Sequence, residues 1–397
     1  MRRSTCSFRP QRFEAFRFFS HSALLGEDFS EVPLHGIQTF SDKKMQEKSS
    51  GKTVRLERYL KALPKAELHV HMEGSIPPSL LLRLAERNRL KLPFSSAAQC
   101  RKLYAYSSFK DFSNMLLLGV YCLRRPVDFY DVILEMGEGL ALHNIRYAEI
   151  TWTPQFYLNR GCALSEILGA MNEARSILAT RSGLEIRWIP DIVRSRPEPA
   201  SAIAEWAASK ESRDAGVVAL GLGGPETGYP AGNFASQFSY ARQCGLPANP
   251  HAGEGAGAAS IWQTIEQLNP ARIGHGVSAI DDQELVAHLV RDALPLEVCP
   301  TSNVRLGVCK SYASHPLKRL IDAGCVVSIN TDDPVLFQTS LTNEYAVAIR
   351  ECGLGPDDIK AAILNALRVS YLPDSEKIRM TESFTEKFEE LDNRFLK

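Results

Sequence analysis

Short apolar runs alternate with amphipathic stretches along the chain from about residue 64 onward. Eight of these runs have the length and composition of buried β-strands and are bounded mainly by Gly, Pro, Asn or Asp. They cover residues 66–71, 145–151, 184–192, 217–223, 246–252, 271–276, 294–300 and 325–332. Because strands that alternate with helices are typical of parallel sheets, the pattern predicts an α/β fold, namely a (β/α)8 TIM-type barrel.

The amphipathic stretches supply the helices that such a barrel needs. They cover residues 165–181, 234–245, 260–268, 281–293 and 315–324. Gly324 stands at the end of the last stretch, where a helix stop is expected. About 70 residues separate the first two strands, which is far more than one crossover helix requires. The sequence therefore predicts a helical insertion over residues 76–143, between strand 1 and strand 2, and a natural role for it is a lid over the catalytic face.

Composition narrows the classes of partner. Of 397 residues, 44% are hydrophobic and 23% are charged, as in ordinary soluble enzymes. The 46 basic and 46 acidic residues cancel, so no overall field attracts nucleic acid or an anionic membrane. No apolar run approaches the roughly 20 residues that cross a bilayer. Nine cysteines without a C-x-x-C pair favour reduced thiols. We expect a cytoplasmic protein with a small-molecule partner, and the oligomeric state is left open.

The first fifty residues differ from the rest. Residues 1–26 hold five arginines, one acidic residue and five phenylalanines, a composition that resembles an organellar transit peptide. The alternatives are a disordered extension, or an upstream start codon with Met45 as the true start. We therefore interpret residues 1–52 as an N-terminal extension and residues 53–397 as a single (β/α)8 domain.

Two histidines stand one residue apart in the first predicted strand. Alternate side chains of a strand share a face, so His69 and His71 point the same way. His251, His275 and Asp332 stand at the ends of predicted strands 5, 6 and 8. Strand ends carry the chemistry of such barrels, and imidazoles with a carboxylate suit a divalent cation such as zinc. The pattern predicts a metal site.

Seven motifs in fixed order resemble those of the adenosine deaminase family of metal-dependent barrel hydrolases, from about residue 58 to the C terminus. They are PKAELHVHMEGS, YAEITWTP, GLGGPE, PHAGE, RIGHG, EVCPTSN and SINTDDP. The resemblance implies one zinc ion per chain. It assigns the metal to His69, His71, His251 and Asp332, protonation of the purine N1 to Glu254, and orientation of the attacking water to His275. Ser302 and Asn303 are expected to support the metal shell.

The resemblance also implies how a purine is held. Asp333 and the backbone of Gly224 are similar to groups that hydrogen-bond the ring, although Asp333 could instead fix a metal-bound histidine. Glu73 stands where the family usually has an aspartate that meets the ribose 5′-hydroxyl. Phe109 and Phe112, at helical spacing in the insertion, either form an apolar lid over the substrate or pack in the core.

The implied activity is zinc-dependent hydrolytic deamination of the 6-amino group of adenosine or 2′-deoxyadenosine, which yields inosine or 2′-deoxyinosine and ammonia. Glu73 and the LAERN stretch at 84–88 are more similar to adenine deaminases, so adenine and the modified nucleoside aminodeoxyfutalosine stay open as substrates. GLGGPE lacks the spacing of a dinucleotide or P-loop motif. We find no basic cluster that would clamp a phosphate. A nucleoside-binding pseudoenzyme is the non-enzymatic alternative.

Overall fold

A computed structural model of the protein describes residues 51–106, 109–158 and 160–397. The N-terminal extension predicted for residues 1–52, with its suggested targeting role, lies outside the described residues except for the start of the first helix. That interpretation therefore stays a prediction. Within the described ranges, no helix is both long and apolar enough to cross a bilayer.

Eight parallel strands form one sheet in chain order. They are β1 (Lys65–His71), β2 (Ile145–Trp152), β3 (Glu185–Val193), β4 (Leu220–Gly223), β5 (Ala248–Ala252), β6 (Ile273–His275), β7 (Leu296–Val298) and β8 (Val327–Ile329). Beyond β8, the His71 N–H donates to the Asp332 carbonyl at 2.7 Å, and the Asp332 N–H donates to the His69 carbonyl at 3.0 Å. These bonds bring the last strand back to the first. The predicted (β/α)8 TIM-type barrel is confirmed.

Seventeen helices surround the sheet in the described part of the chain. They are α1 (Gly51–Ala62), α2 (Pro78–Arg87), α3 (Ala97–Lys102), α4 (Phe109–Cys122), α5 (Pro126–Leu142), α6 (Leu164–Ser182), α7 (Ala200–Ala208), α8 (Lys210–Asp214), α9 (Ala235–Gln243), α10 (Gly257–Leu268), α11 (Gln283–Arg291), α12 (Pro300–Arg305), α13 (Leu317–Asp322), α14 (Pro334–Phe337), α15 (Leu341–Arg350), α16 (Pro356–Val369) and α17 (Asp374–Phe395). Helices α2 to α5 confirm the helical insertion between β1 and β2.

Strand β4 is shorter than the predicted run 217–223. Val217 forms only an isolated bridge with Trp188 of β3, and the regular strand begins at Leu220. Between the pairs Trp188–Val217 and Asp191–Gly221, two residues of β3 face three residues of strand 4. One of the two is Pro190, which has no N–H to donate to the ladder. Pro190 thus interrupts the hydrogen bonding between β3 and β4, and the strand predicted for residues 217–223 is shortened to Leu220–Gly223.

The strands are buried almost throughout, as expected for a parallel sheet covered by helices. In β2 only Arg146 is exposed, and in β1 only His71 is less than fully buried. A polar side chain inside such a strand has to find a partner inside the barrel. The histidines of β1, β5 and β6 lie together with Asp332 at the C-terminal mouth of the barrel, where the candidate site lies.

Candidate active site

Four imidazoles and one carboxylate meet at the C-terminal ends of the strands. The ring centroid of His69 lies 5.3 Å from that of His71, 4.5 Å from that of His251 and 4.9 Å from that of His275. Asp332 Oδ1 lies 3.3 Å from His71 Nε2 and 3.6 Å from His69 Nε2. The structure therefore brings together all five residues that the sequence placed at the metal or beside it.

The free atoms of this cluster fit a metal ion. Nε2 of His69 and Nε2 of His71 are buried and have no hydrogen-bond partner among the described residues. The ligand atoms of His69, His71 and Asp332 all lie within 4.8 Å of one another, and so do those of His69, His251 and His275. An unpaired buried polar group costs about 1–3 kcal/mol. Convergent nitrogen and oxygen donors are what a borderline divalent cation binds, so the residues fit such an ion.

Burial keeps most of these histidines neutral. Desolvation lowers the pKa of His71 and the pKa of His275 to about 4 each, and lowers the pKa of His251 well below its ordinary value. His69 is also desolvated, but the nearby carboxylates of Asp332 and Glu297 outweigh that effect and raise its pKa to about 10. Neutral imidazole is the form that binds a metal. At Nε2 of His69, a bound cation would take the place of the proton that the carboxylates of Asp332 and Glu297 stabilise.

A buried glutamate on β7 orients His69. Glu297 Oε2 lies 3.0 Å from His69 Nδ1, and Asn249 Nδ2 donates to the same oxygen at 3.2 Å. Arg272 Nε donates to Glu297 Oε1 at 2.6 Å and its guanidinium also contacts Glu149. Burial alone would raise the pKa of Glu297, but the charge of Arg272 and the bond to His69 lower it. An ionised Glu297 holds the proton of His69 at Nδ1 and leaves Nε2 free.

Two residues of the EVCPTSN motif support the other side of the cluster. Ser302 Oγ donates to Asp332 Oδ2 at 2.6 Å, and Asn303 Nδ2 donates to His275 Nδ1 at 3.3 Å. The acceptor role of Nδ1 places the remaining ring proton of His275 at Nε2, which lies 3.7 Å from Glu254 Oε1. These contacts agree with the supporting role expected for Ser302 and Asn303.

His275 and Asp332 share an unusual backbone conformation. Their φ angles are 61° and 64°, in the left-handed region that residues other than glycine rarely adopt. Such a conformation costs on the order of 1–3 kcal/mol per residue and tends to occur at functional sites. Here it stands at two strand ends whose side chains both point into the cluster.

The loop after β5, which carries Glu254, is held by a second glutamate. Glu226 Oε1 accepts the Gly253 N–H at 2.6 Å, and Glu226 Oε2 accepts the N–H groups of Glu254, Gly255 and Ala256 at 3.0, 2.7 and 3.1 Å. Four backbone donors thus converge on one carboxylate, and bonds to a charged acceptor are the strong ones. The GLGGPE motif acts on the site through its glutamate as well as through its glycines.

Glu254 and the glutamate that holds its loop, Glu226, have opposite pKa shifts. Burial, and then the negative charges of Asp332 and Glu226, raise the pKa of Glu254 to about 8, although 22% of its side chain is exposed. Burial would also raise the pKa of Glu226, but hydrogen bonds from Ser260 and the backbone lower it. Glu226 is therefore a fixed anion, whereas Glu254 is protonated at neutral pH and can donate a proton.

The residues predicted to hold a purine lie around the same mouth. Asp333 is buried, and its Oδ1 has no hydrogen-bond partner within the described ranges. Gly224 is exposed beside β4, with a φ of 84°. Glu73 is buried, and its Oε1 accepts the Thr153 N–H and the Tyr157 hydroxyl, both at 3.0 Å. The contacts of these residues with a purine stay predictions.

The aromatic residues of the insertion pack on the segment after β8. The ring of Phe112 stacks on that of Phe337, with centroids 5.0 Å apart and planes 9° apart, and it meets Tyr106 edge on. Phe112 is 6% exposed, so core packing accounts for it. The side chain of Phe109 lies outside the described residues. The predicted lid of Phe109 and Phe112 over the substrate stays a prediction.

Sequence reasoning missed Glu226, Arg272 and Glu297. Arg272 and Glu297 stand inside or beside apolar strand runs, and a charged residue there needs a buried partner, which is a signal that could have marked them. Glu226 closes a glycine-rich turn and carries no comparable signal. Its role depends on a loop that begins 27 residues later.

Comparison with known proteins agrees with this geometry. Residues 64–387 match the adenosine deaminase family profile. An aminodeoxyfutalosine deaminase of Streptomyces avermitilis is 36% identical over 82% of this chain and 91% of its own length. An adenine deaminase of Caulobacter vibrioides is 36% identical over 80% of this chain and 92% of its own length. The crystal structure of an adenine deaminase from Arthrobacter aurescens superposes with a TM-score of 0.77 at 29% identity, over 82% of this chain and 98% of that one. The chain therefore belongs to the adenosine deaminase family and is a metal-dependent hydrolase of that family.

Proposed function

We propose that the protein removes the 6-amino group of a purine by zinc-dependent hydrolysis, converting adenosine or 2′-deoxyadenosine to inosine or 2′-deoxyinosine and ammonia. The observation that carries the proposal is the position of Glu254, a carboxyl group with a raised pKa. It lies beside His275 at the rim of the histidine and aspartate cluster. Hydrolysis at an aromatic carbon requires a metal ion that activates water and a general acid beside it, and this arrangement can supply both.

Zinc suits the nitrogen and oxygen donors of the cluster. His69, His71, His251 and Asp332 would hold the ion. A bound zinc ion supplies Lewis-acid chemistry and lowers the pKa of coordinated water to about 7. Glu297 and Ser302 contribute by fixing His69 and Asp332 in place before the ion binds.

The side chains of the protein move and hold the protons. Water adds its oxygen to C6 of the purine as N1 takes a proton from Glu254. One proton of that water restores Glu254, and the other passes to the amino nitrogen as the bond from C6 to that nitrogen breaks, so that ammonia leaves and C6 keeps the oxygen. His275 faces Glu254 with its Nε2 and orients the attacking water. Burial and the charge of Asp332 raise the pKa of Asp333 well above its usual range, so its neutral carboxyl group donates to the lone pair of N7.

Adenine and aminodeoxyfutalosine are the alternative substrates. Relatives bearing the names adenine deaminase and aminodeoxyfutalosine deaminase are each 36% identical to this chain. Glu73 replaces the aspartate that usually meets the ribose 5′-hydroxyl. Its Oε1 is engaged by Thr153 and Tyr157, so that only Oε2 is left for a substrate.

A substrate panel tests the proposal. We expect zinc-loaded protein to release ammonia from adenosine and 2′-deoxyadenosine with a kcat/KM of about 10⁴ M⁻¹ s⁻¹ or more, above the values for adenine and AMP. Aminodeoxyfutalosine is assayed in parallel. A clear preference for adenine or aminodeoxyfutalosine would keep the reaction and change the substrate. Metal-loaded protein that releases ammonia from none of them would refute the proposal and favour a purine-binding pseudoenzyme.

The loop anchor gives a second prediction. We expect Glu226→Gln to lower kcat for ammonia release by about 10- to 100-fold. In the variant, an NH2 group that cannot accept a hydrogen bond replaces one of the two carboxylate oxygens that accept backbone N–H groups in wild type. Zinc content should stay unchanged. The carboxylate of Glu226 hydrogen-bonds the backbone of Gly253, Glu254, Gly255 and Ala256, and none of these four residues is a predicted metal ligand. The matched control is Glu266→Gln, at an exposed position of α10. Equal kcat in the two variants would show that the anchor does not position Glu254.

A further inference from the structure

Asp191 is a buried acid at the mouth of the barrel that the proposed reaction does not use. It lies near the C-terminal end of β3 and is 3% exposed. Burial raises the pKa of its carboxyl group to about 7, and the side chain of Thr153 offsets part of that rise. Oδ1 of Asp191 has no hydrogen-bond partner in the part of the chain that the structure describes. A buried oxygen of this kind costs about 1–3 kcal/mol unless a ligand supplies a donor.

Two glycines make the space that this carboxyl group occupies. A Cβ atom on Gly221 would lie 2.9 Å from the Asp191 Cβ, and one on Gly223 would lie 2.6 Å from Asp191 Oδ2. The same point at Gly223 is 3.9 Å from Cε1 of His251. Any larger residue on β4 at either position would displace the carboxyl group, which therefore reaches the level of the histidine cluster.

The order of the strands places Asp191 opposite the metal cluster. The cluster draws on β1, β5, β6 and the end of β8, and Glu297 of β7 holds it from below, so it is centred on the β7 side of the barrel. In an eight-stranded barrel β3 lies across from β7. A purine with C6 at the cluster, N1 at Glu254 and N7 at Asp333 turns its N3 and N9 edge toward β3. This step rests on the proposed function.

The buried carboxyl oxygens without a partner on the β3 side of the barrel indicate which group is attached to N9 of the purine. Oε2 of Glu73 is the second buried oxygen without a partner among the described residues. Thr153 lies between the two acids, since its N–H donates to Glu73 Oε1 and its side chain affects the pKa of Asp191. Free adenine offers one donor on this edge, the N9–H. A ribosyl group offers several hydroxyl groups, which donate to a carboxylate and accept from a neutral carboxyl group, whereas an ionised phosphate offers no donor.

We propose that Asp191, together with Glu73, binds hydroxyl groups of a sugar on N9, so that the site selects an uncharged adenine nucleoside over free adenine and over nucleotides. Asp191 is then a specificity residue that contacts the sugar of the substrate and not the reacting carbon. Because the sugar is bound equally before and during the reaction, the contact affects KM more than kcat.

The test compares substrates with and without each hydroxyl group. Zinc-loaded wild type, Asp191→Ala and Asp191→Asn are assayed with adenosine, its 2′-, 3′- and 5′-deoxy forms, and adenine. We expect Asp191→Ala to lower kcat/KM for adenosine by about 10- to 100-fold, chiefly through KM, and to leave adenine unchanged. At least one deoxy form should be a poorer substrate than adenosine for wild type and equal to adenosine for Asp191→Ala. The control variant is Asp374→Ala, at an exposed position of α17.

Three results would overturn the inference. The first is an equal loss of activity on adenine and adenosine with reduced zinc content, which would make Asp191 a positioning residue for His251. The second is a wild type that treats every deoxy form like adenosine, a measurement that needs no variant to fold. The third is a preference of wild type for adenine that Asp191→Asn leaves intact. Wild type that is inactive on all purines would instead refute the proposed function.

Discussion

Replacing Glu254 with glutamine is expected to lower kcat for ammonia release by about 10²- to 10⁴-fold, with zinc content unchanged. Glutamine has the same shape, but its amide is too weak an acid to protonate N1 of the purine. The loop itself should hold, because Glu226 contacts the backbone N–H of residue 254 and not its side chain. Steady-state kinetics and metal analysis of the same preparations measure both quantities.

The pH profile provides the control for this variant. The protonated form of Glu254, whose pKa is raised to about 8, is present below that pH and is lost as the pH rises through it. We therefore expect kcat/KM of wild type to fall on the alkaline side of about pH 8, and the residual activity of Glu254→Gln to lack that decline. A variant with a near wild-type rate, or with the same alkaline decline, would contradict the role of Glu254 as the acid.

Changing Gly274 to alanine is expected to weaken zinc binding and to lower activity by about 100-fold or more. The added Cβ would lie 2.7 Å from Cδ2 of His251 and 2.7 Å from Cε1 of His69. The ring of His69 is not free to move away, because its Nδ1 is hydrogen-bonded to Glu297. Displacing catalytic groups by about 1 Å can cost 10²-fold in rate. Zinc retained after dialysis against a chelator, together with kcat, measures the effect.

A second glycine provides a matched control for the Gly274 variant. Gly169 lies on α6, and a Cβ there would meet nothing within 4 Å. Gly169→Ala is expected to keep full zinc content and activity and to gain up to about 1 kcal/mol of stability from its higher helix propensity. If Gly274→Ala matched this control in zinc content and rate, the two imidazoles would have more room than the structure shows.

The sequence by itself determined the architecture and most of the candidate cluster. Strand positions follow from short buried runs, which are local properties, and all eight predicted runs overlap observed strands. The period of two in a strand placed His69 and His71 on one face. Strand ends placed His251, His275 and Asp332 near them, because parallel strands of one barrel end at the same mouth.

Only the tertiary structure decided which side chains support that cluster. Glu297 and His69 are 228 residues apart in the chain, and no local pattern connects them. Glu226 acts through a loop on the next strand, and the space for Asp191 exists because β4 has glycines at positions 221 and 223. Phe112 likewise found its partner in Phe337, far along the chain. Sequence patterns report the neighbours of a residue along one strand or helix, whereas contacts across the barrel depend on register, strand order and the size of the facing side chain.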